Sequence, residues 1–167
     1  MLTIRAERAG DAAAIAEVVR EAFSGHPHSR QTEPFIVAAL RRAGALTISL
    51  VAEIEGEIIG HIAFSPVSIS GEISNFHALG PLAVSPLRQR QGAGQALVRA
   101  GLDALRSAGS RGCVVVGDPA YYRRFGFARH PDCTVPGIPP DYVLALAFDG
   151  APVIGDITHH PAFRAEA

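Results

Sequence analysis

The stretch from Leu82 to Gly109, LAVSPLRQRQGAGQALVRAGLDALRSAG, constrains this chain more than any other. It reads as the end of an apolar strand, a turn, a glycine-punctuated loop and an amphipathic helix. Past Gly94 the apolar residues Leu97, Val98, Leu102 and Leu105 recur at helical spacing, while Arg99, Asp103 and Arg106 fall on other faces. Gly109 suits the helix stop, so the start lies near Gln91 to Gly94. A helix start carries unpaired N–H groups and about half a positive charge, and so attracts an anion. Gly92 and Gly94 let the backbone come close to a ligand. Arg88 and Arg90 add charge beside them.

Spacing separates the known kinds of anion loop. A nucleotide P-loop needs Lys-Ser or Lys-Thr after its glycines, and none follows here. A dinucleotide fingerprint needs a small residue where Leu97 stands, and no acid follows at the expected distance. What remains is Gln89-Arg90-Gln91-Gly92-Ala93-Gly94, of the form Q-x-x-G-x-G, preceded by Leu82-Ala83-Val84. This resembles the pyrophosphate loop of the GCN5-related N-acetyltransferases. The resemblance implies that Leu82, Ala83, Val84, Arg88 and the six loop residues bind acetyl-CoA as co-substrate.

A second motif strengthens it: Gly117-Asp118-Pro119-Ala120-Tyr121-Tyr122-Arg123-Arg124-Phe125-Gly126-Phe127. Members of that family commonly carry a tyrosine four residues before a Gly-Phe pair, where Tyr122 stands here. Where many have asparagine at the head of the motif, this chain has Asp118-Pro119. The resemblance implies that Tyr122 lies near the sulfur of CoA and protonates the departing thiolate. A thiol of pKa about 8.5 leaves as thiolate, and a phenol near 10 can return the proton. It also implies direct attack by an amine, with a backbone N–H near Val84 holding the oxyanion. Tyr121 is the weaker candidate. For the base, His77 on the strand before the loop is the first choice. Glu33 is an alternative for holding a cationic substrate.

In chain order, Leu2–Ala6 reads as a strand and Asp11–Ser24 as a helix with Ile15, Val18, Val19, Ala22 and Phe23 on one stripe. A loop carries His26-Pro27-His28, followed by a helix over Glu33–Arg42. Strands follow at Thr47–Glu53, Glu57–Ser70 and Ile73–Val84, separated by turns at Glu55-Gly56 and Gly71-Glu72. Pro66 predicts a bulge in the second of these, and Gly80-Pro81 a break in the third. Past that break Leu82, Ala83 and Val84 would keep backbone groups free for an extended ligand. Cys113–Gly117 is a buried strand, parallel to the broken one by the strand–helix–strand rule. A short helix over Pro119–Phe125 and a strand over Tyr142–Phe148 close the pattern.

The expectation is a mixed α/β (α+β) sheet flanked by helices. By resemblance this is the acyl-CoA N-acyltransferase fold, with a splayed central sheet. Residues 1–150 would form the N-acetyltransferase domain, and 151–167 an extension packed on it. Val153-Ile154 could add a strand end there, whereas Pro152, Gly155 and Pro161 argue against regular structure.

The chain has 167 residues, enough for one domain with a real core, and 48% are apolar. Net charge is −1 and there is no lysine, which weighs against nucleic acid as partner. Cys113 and Cys133 have no redox or metal spacing, as expected of a reducing cytoplasm. His26 and His28 have no third ligand at a suitable spacing, so no metal is expected. No apolar run is long enough for a membrane span. A homodimer is common in the family, and nothing in this pattern points to one. The function expected is acetyl transfer from acetyl-CoA to an amine of a small molecule or protein. The competing readings are a non-catalytic acyl-CoA sensor, which would not need Tyr122, and an unrelated phosphate-binding domain.

Overall fold

The computed structural model describes all 167 residues. The sheet is built from β1 (Leu2–Ala6), β2 (Ile48–Ile54), β3 (Glu57–Ile69), β4 (Glu72–Val84), β5 (Gly112–Val116) and β7 (Val143–Ala147), hydrogen-bonded in the order β1-β2-β3-β4-β5-β7. All neighbours on this path are antiparallel except β4 and β5. The chain passes from β4 to its parallel partner β5 through α3 (Ala93–Ser107).

The helices divide between the two faces. Leu97, Val98, Leu102 and Leu105 of α3 pack with Ile62, Phe64, Leu79, Val115 and Leu144 on one face. Burying each such side chain contributes about 1.5–3 kcal/mol, so this apolar stripe holds α3 on the sheet. Opposite it, Ile15, Val18 and Val19 of α1 (Ala12–Phe23) and Val37 of α2 (Glu33–Arg42) meet Val51 and Ala83. Gly101 lets α3 lie close to the sheet, because a Cβ there would sit 2.2 Å from Phe64 Cε1.

Two strand irregularities shape the molecule. Between Ile62↔Leu82 and Phe64↔Leu79 the register of β3 against β4 slips, so β4 carries the extra residue at Gly80-Pro81. Pro81 can donate to no neighbour. Past this bulge β4 stays with β3 but leaves β5: only Phe76–Ala78 pair with Gly112–Val114. Meanwhile β5 remains paired with β7 along its whole length. The sheet therefore opens between Leu79–Val84 and Val115–Gly117. The second slip falls beside Pro66, between Pro66↔His77 and Ser68↔Ile73, but the extra residues lie in β4 rather than in the proline's own strand.

The tail is more regular than its prolines and glycine suggest. β8 (Gly155–His159) pairs with the end of β3, Val67↔His159 to Ile69↔Ile157, and with the short β6 (Cys133–Thr134). Ile157 and Val153 are buried with Val67 and Phe76. A final turn places Ala162 against Ile36 and Leu40 of α2. Apolar burial outweighs the local preference for coil here. No helix is long and apolar enough to cross a membrane.

Candidate active site

The end of β4 supplies the first half of the site. Ser85 N–H donates to Ile59 O at 2.8 Å. Backbone groups alternate in direction along a strand, so Ala83 bonds toward β3, opposite His61. The N–H and C=O groups of Leu82 and Val84 then point into the opening of the sheet. Val84 O accepts from Gln89 Nε2 at 3.1 Å, which ties the loop to the strand end.

The loop after β4 runs through a turn at Pro86–Arg88 into α3, and Gly92 at its N-cap has φ +92°. The first backbone bond of α3 runs from Ala96 N–H to Gly92 O at 3.0 Å. The amides of Ala93, Gly94 and Gln95 donate to no protein group. Gly94 and Gln95 line a depression of about 550 Å³, together with Leu82, Val84, Gln89, Arg90, Gly92, Tyr121 and Arg124. Its lining includes two arginines and no carboxylate. Arg124 Nε donates to Tyr121 O at 2.9 Å, and its guanidinium lies 4.7 Å from the Tyr121 ring centroid. The pair forms one wall of the anion cradle. Arg88 and Gln91 in the turn and Ala93 at the start of α3 do not line that depression, and Ala93 is buried in the core.

Leu82 also lines a second cavity of about 900 Å³. Its floor is the open part of the sheet, Leu79 to Leu82 and Val115 to Gly117. Phe23, His26 and His28 come from the end of α1 and its loop; Ile138, Pro139 and Tyr142 come from the segment before β7. Asp118 and Tyr122 complete it. They begin and end one turn of helix, α4 (Pro119–Tyr122), where Asp118 Oδ1 accepts from Ala120 N–H at 2.9 Å. The Tyr122 ring lies over the backbone of Gly117, where a Cβ would be 2.6 Å from Cε2. It packs edge-on to Tyr121 and Phe127, at centroid distances of 5.0 and 5.8 Å. Burial raises its pKa well above that of an ordinary phenol, so the hydroxyl keeps its proton at neutral pH.

Successive residues on a helix point about 100° apart. That rotation sends Tyr121 into the cradle and Tyr122 into the cleft, with Leu82 between them. Tyr121, the weaker candidate for the acid in the sequence, stands against the loop instead: a Cβ on Gly94 would be 3.0 Å from Tyr121 Oη.

The structure does not bring His77 to this site. It sits opposite Pro66 and Cys113, where β4 and β5 are still paired, five residues or about 16 Å of strand before Leu82. Its Nδ1 is 2.8 Å from Ser110 Oγ, and burial lowers its pKa. Glu33 is also elsewhere, accepting from Ser29 Oγ at 2.7 Å as part of the loop before α2. His26 and His28 do reach the cleft. His26 Nδ1 accepts from His28 N–H at 3.3 Å, while the His28 ring makes no hydrogen bond. No three His, Cys, Asp or Glu side chains cluster as a metal site would require.

A mixed sheet opened between its two parallel strands, beside a helix start with unpaired amides, defines an acyl-CoA N-acyltransferase fold. The sequence model of the acetyltransferase (GNAT) family matches residues 12–127. Over 170 aligned residues the chain is 37% identical to the uncharacterized N-acetyltransferase YhbS of Escherichia coli K12, covering 98% of this chain and 99% of that one. The crystal structure of a GNAT family acetyltransferase from Brucella melitensis in complex with acetyl-CoA superposes with a TM-score of 0.88 at 48% identity, covering 98% of both chains. E. coli YhbS in complex with CoA gives 0.86 at 35% identity, covering 99% of this chain and 93% of that one. The chain belongs to the acetyltransferase (GNAT) family.

Proposed function

We propose that this protein transfers the acetyl group of acetyl-CoA to an amine by direct attack, with Tyr122 donating to the departing sulfur. The observation that carries this is the junction at Leu82. A cationic cradle of free amides and a cleft containing a protonated tyrosine share that one residue. The relatives solved with acetyl-CoA and with CoA support the choice of ligand.

In this reading the diphosphate rests on the amides of Gly92, Gly94 and Gln95, with Arg90 and Arg124 beside it. The pantetheine arm extends along Leu82 and Val84 and pairs with the backbone groups that face the opening. The thioester then lies in the cleft. The neutral amine attacks the carbonyl carbon, and the oxyanion accepts from a backbone N–H of the β4 end. As the C–S bond breaks, the Tyr122 hydroxyl gives its proton to sulfur and regains one from the nitrogen, through water or directly. The products are the amide and the free thiol of CoA. His77 has no part in this; it braces β4 against Ser110. His28, with both ring nitrogens open, is the imidazole placed to accept the proton the amine loses before attack. The cytoplasm, where acetyl-CoA is made and used, is the proposed location.

Tyr122→Phe tests the reading. It should lower kcat about a hundredfold and leave KM for acetyl-CoA within about twofold, measured by thiol release. Unchanged kcat would remove Tyr122 from the chemistry and favour a non-catalytic CoA-binding module.

A further inference from the structure

The two cavities carry opposite charge. The cradle lining has Arg90 and Arg124 and no carboxylate; the cleft lining has Asp118 and no arginine, and the chain has no lysine. Asp118 Oδ1 is held by the Ala120 N–H, which orients the carboxylate, while Oδ2 has no protein partner. The same turn carries Tyr122, whose N–H donates to Asp118 O at 3.1 Å. Most of the remaining wall is apolar. Leu79 and Val115 form the floor, and Val116 and Tyr142 are 40% and 50% exposed along it.

We infer that the acceptor is a primary amine with one positive charge on an apolar or aromatic body, its ammonium received by Asp118. This rests on the reading of the site as an acetyl-CoA-dependent transferase. A single carboxylate neutralises one ammonium. A second charge on the same molecule would face Leu79, Val115 or Ile138 and lose its hydration without a partner. An amino-acid carboxylate would meet Asp118 with no guanidinium to hold it. The carboxylate is solvent-exposed, so it gathers the ammonium without preventing the loss of its proton. Tyr142 and Phe23 supply surface for a ring.

The experiment compares four acceptors under saturating acetyl-CoA: 2-phenylethylamine, phenylalanine, spermidine and a lysine-containing peptide. Thiol release gives kcat/KM, and thermal shift by acetyl-CoA is recorded on the same preparation. The expected result is a kcat/KM for 2-phenylethylamine about tenfold or more above the other three. Asp118→Asn should raise its KM about tenfold, the loss of one charge-assisted hydrogen bond, with KM for acetyl-CoA unchanged. Asparagine caps a helix as well as aspartate does, so the fold is retained. Equal or better turnover of spermidine, phenylalanine or the peptide overturns the inference. So does an unchanged amine KM in Asp118→Asn, or no turnover of any of the four by protein that binds acetyl-CoA. If acetyl-CoA gives no thermal shift, the transferase reading itself falls.

Discussion

His61 lies directly behind the strand end that lines the cradle, paired with Ala83, and is fully buried. Its protonation state is set by a chain of hydrogen bonds. Arg41 holds Glu7 through Nε and Nη2 at 2.8 and 2.9 Å. Ser49 Oγ–H donates to Glu7 at 2.7 Å, so the Ser49 oxygen must accept from His61 Nε2–H at 2.9 Å. That leaves Nδ1 as a buried lone pair with no partner. A proton added there would create a buried cation whose new N–H has no acceptor. Burial accordingly pushes the pKa down from 6.5 to about 4, with Glu7 opposing and Arg41 assisting.

The unfolded chain takes up this proton below about 6.5 and the folded chain only near 4. The folded pKa is the depressed one, so stability is complete above 6.5 and falls as pH drops through that window. The full gap is worth about 3 kcal/mol, and about 2 kcal/mol of it is lost between pH 7.5 and pH 5. His77 and His159 are shifted in the same direction by burial, so they add to the total slope. Glu7 acts only lower: its pKa is depressed by Arg41, and its contribution is lost below 4.5. Comparison with His61→Gln isolates His61, because glutamine can still donate to Ser49 and does not titrate. Urea unfolding at both pH values should show the advantage of the natural protein over the variant shrinking by about 2 kcal/mol on acidification. Two free-energy differences that agree within error would refute the buried, Nδ1-unpaired assignment.

Two further outcomes are expected. Gly101→Ala places a methyl group 2.2 Å from the buried Phe64 ring, so the urea midpoint should fall by the equivalent of about 1–3 kcal/mol; an unchanged midpoint would mean that α3 can rise off the sheet freely. Arg90→Ala, tested alone and with Arg124→Ala, should weaken CoA binding about three- to tenfold per residue at low salt. The penalty should shrink as salt screens the phosphates, and a salt-independent penalty would place these guanidiniums away from the ligand.

Much of the fold could be read from local pattern. The stripe from Leu97 to Leu105 required an amphipathic helix, and the structure has α3 there. The turn at Glu55-Gly56 falls between antiparallel neighbours, and the one expected at Gly71-Glu72 stands one residue earlier, at Ser70-Gly71. Pro81, unable to donate, stands where the sheet opens. β8 could not be read this way, because its partners are distant: β6 and, some ninety residues earlier, β3. Its prolines and glycine describe only local preference. The position of His77, away from the cleft lining, could not be read for a related reason. A histidine on a strand reveals its chemistry only through what packs opposite, and here that is Ser110 from beyond α3.

By itself the sequence determined the elements whose causes are local: helical and strand periodicity, glycines at the loop, a proline in β4, and a tyrosine four residues before Gly-Phe. Only the tertiary structure decided which side chains share a space. It sent Tyr121 to the cradle and Tyr122 to the cleft, brought His26, His28 and Tyr142 to the lining of that cleft, and kept His77 away from it. Those assignments depend on contacts between distant segments, which are set by burial and sheet pairing rather than by the preferences of neighbouring residues.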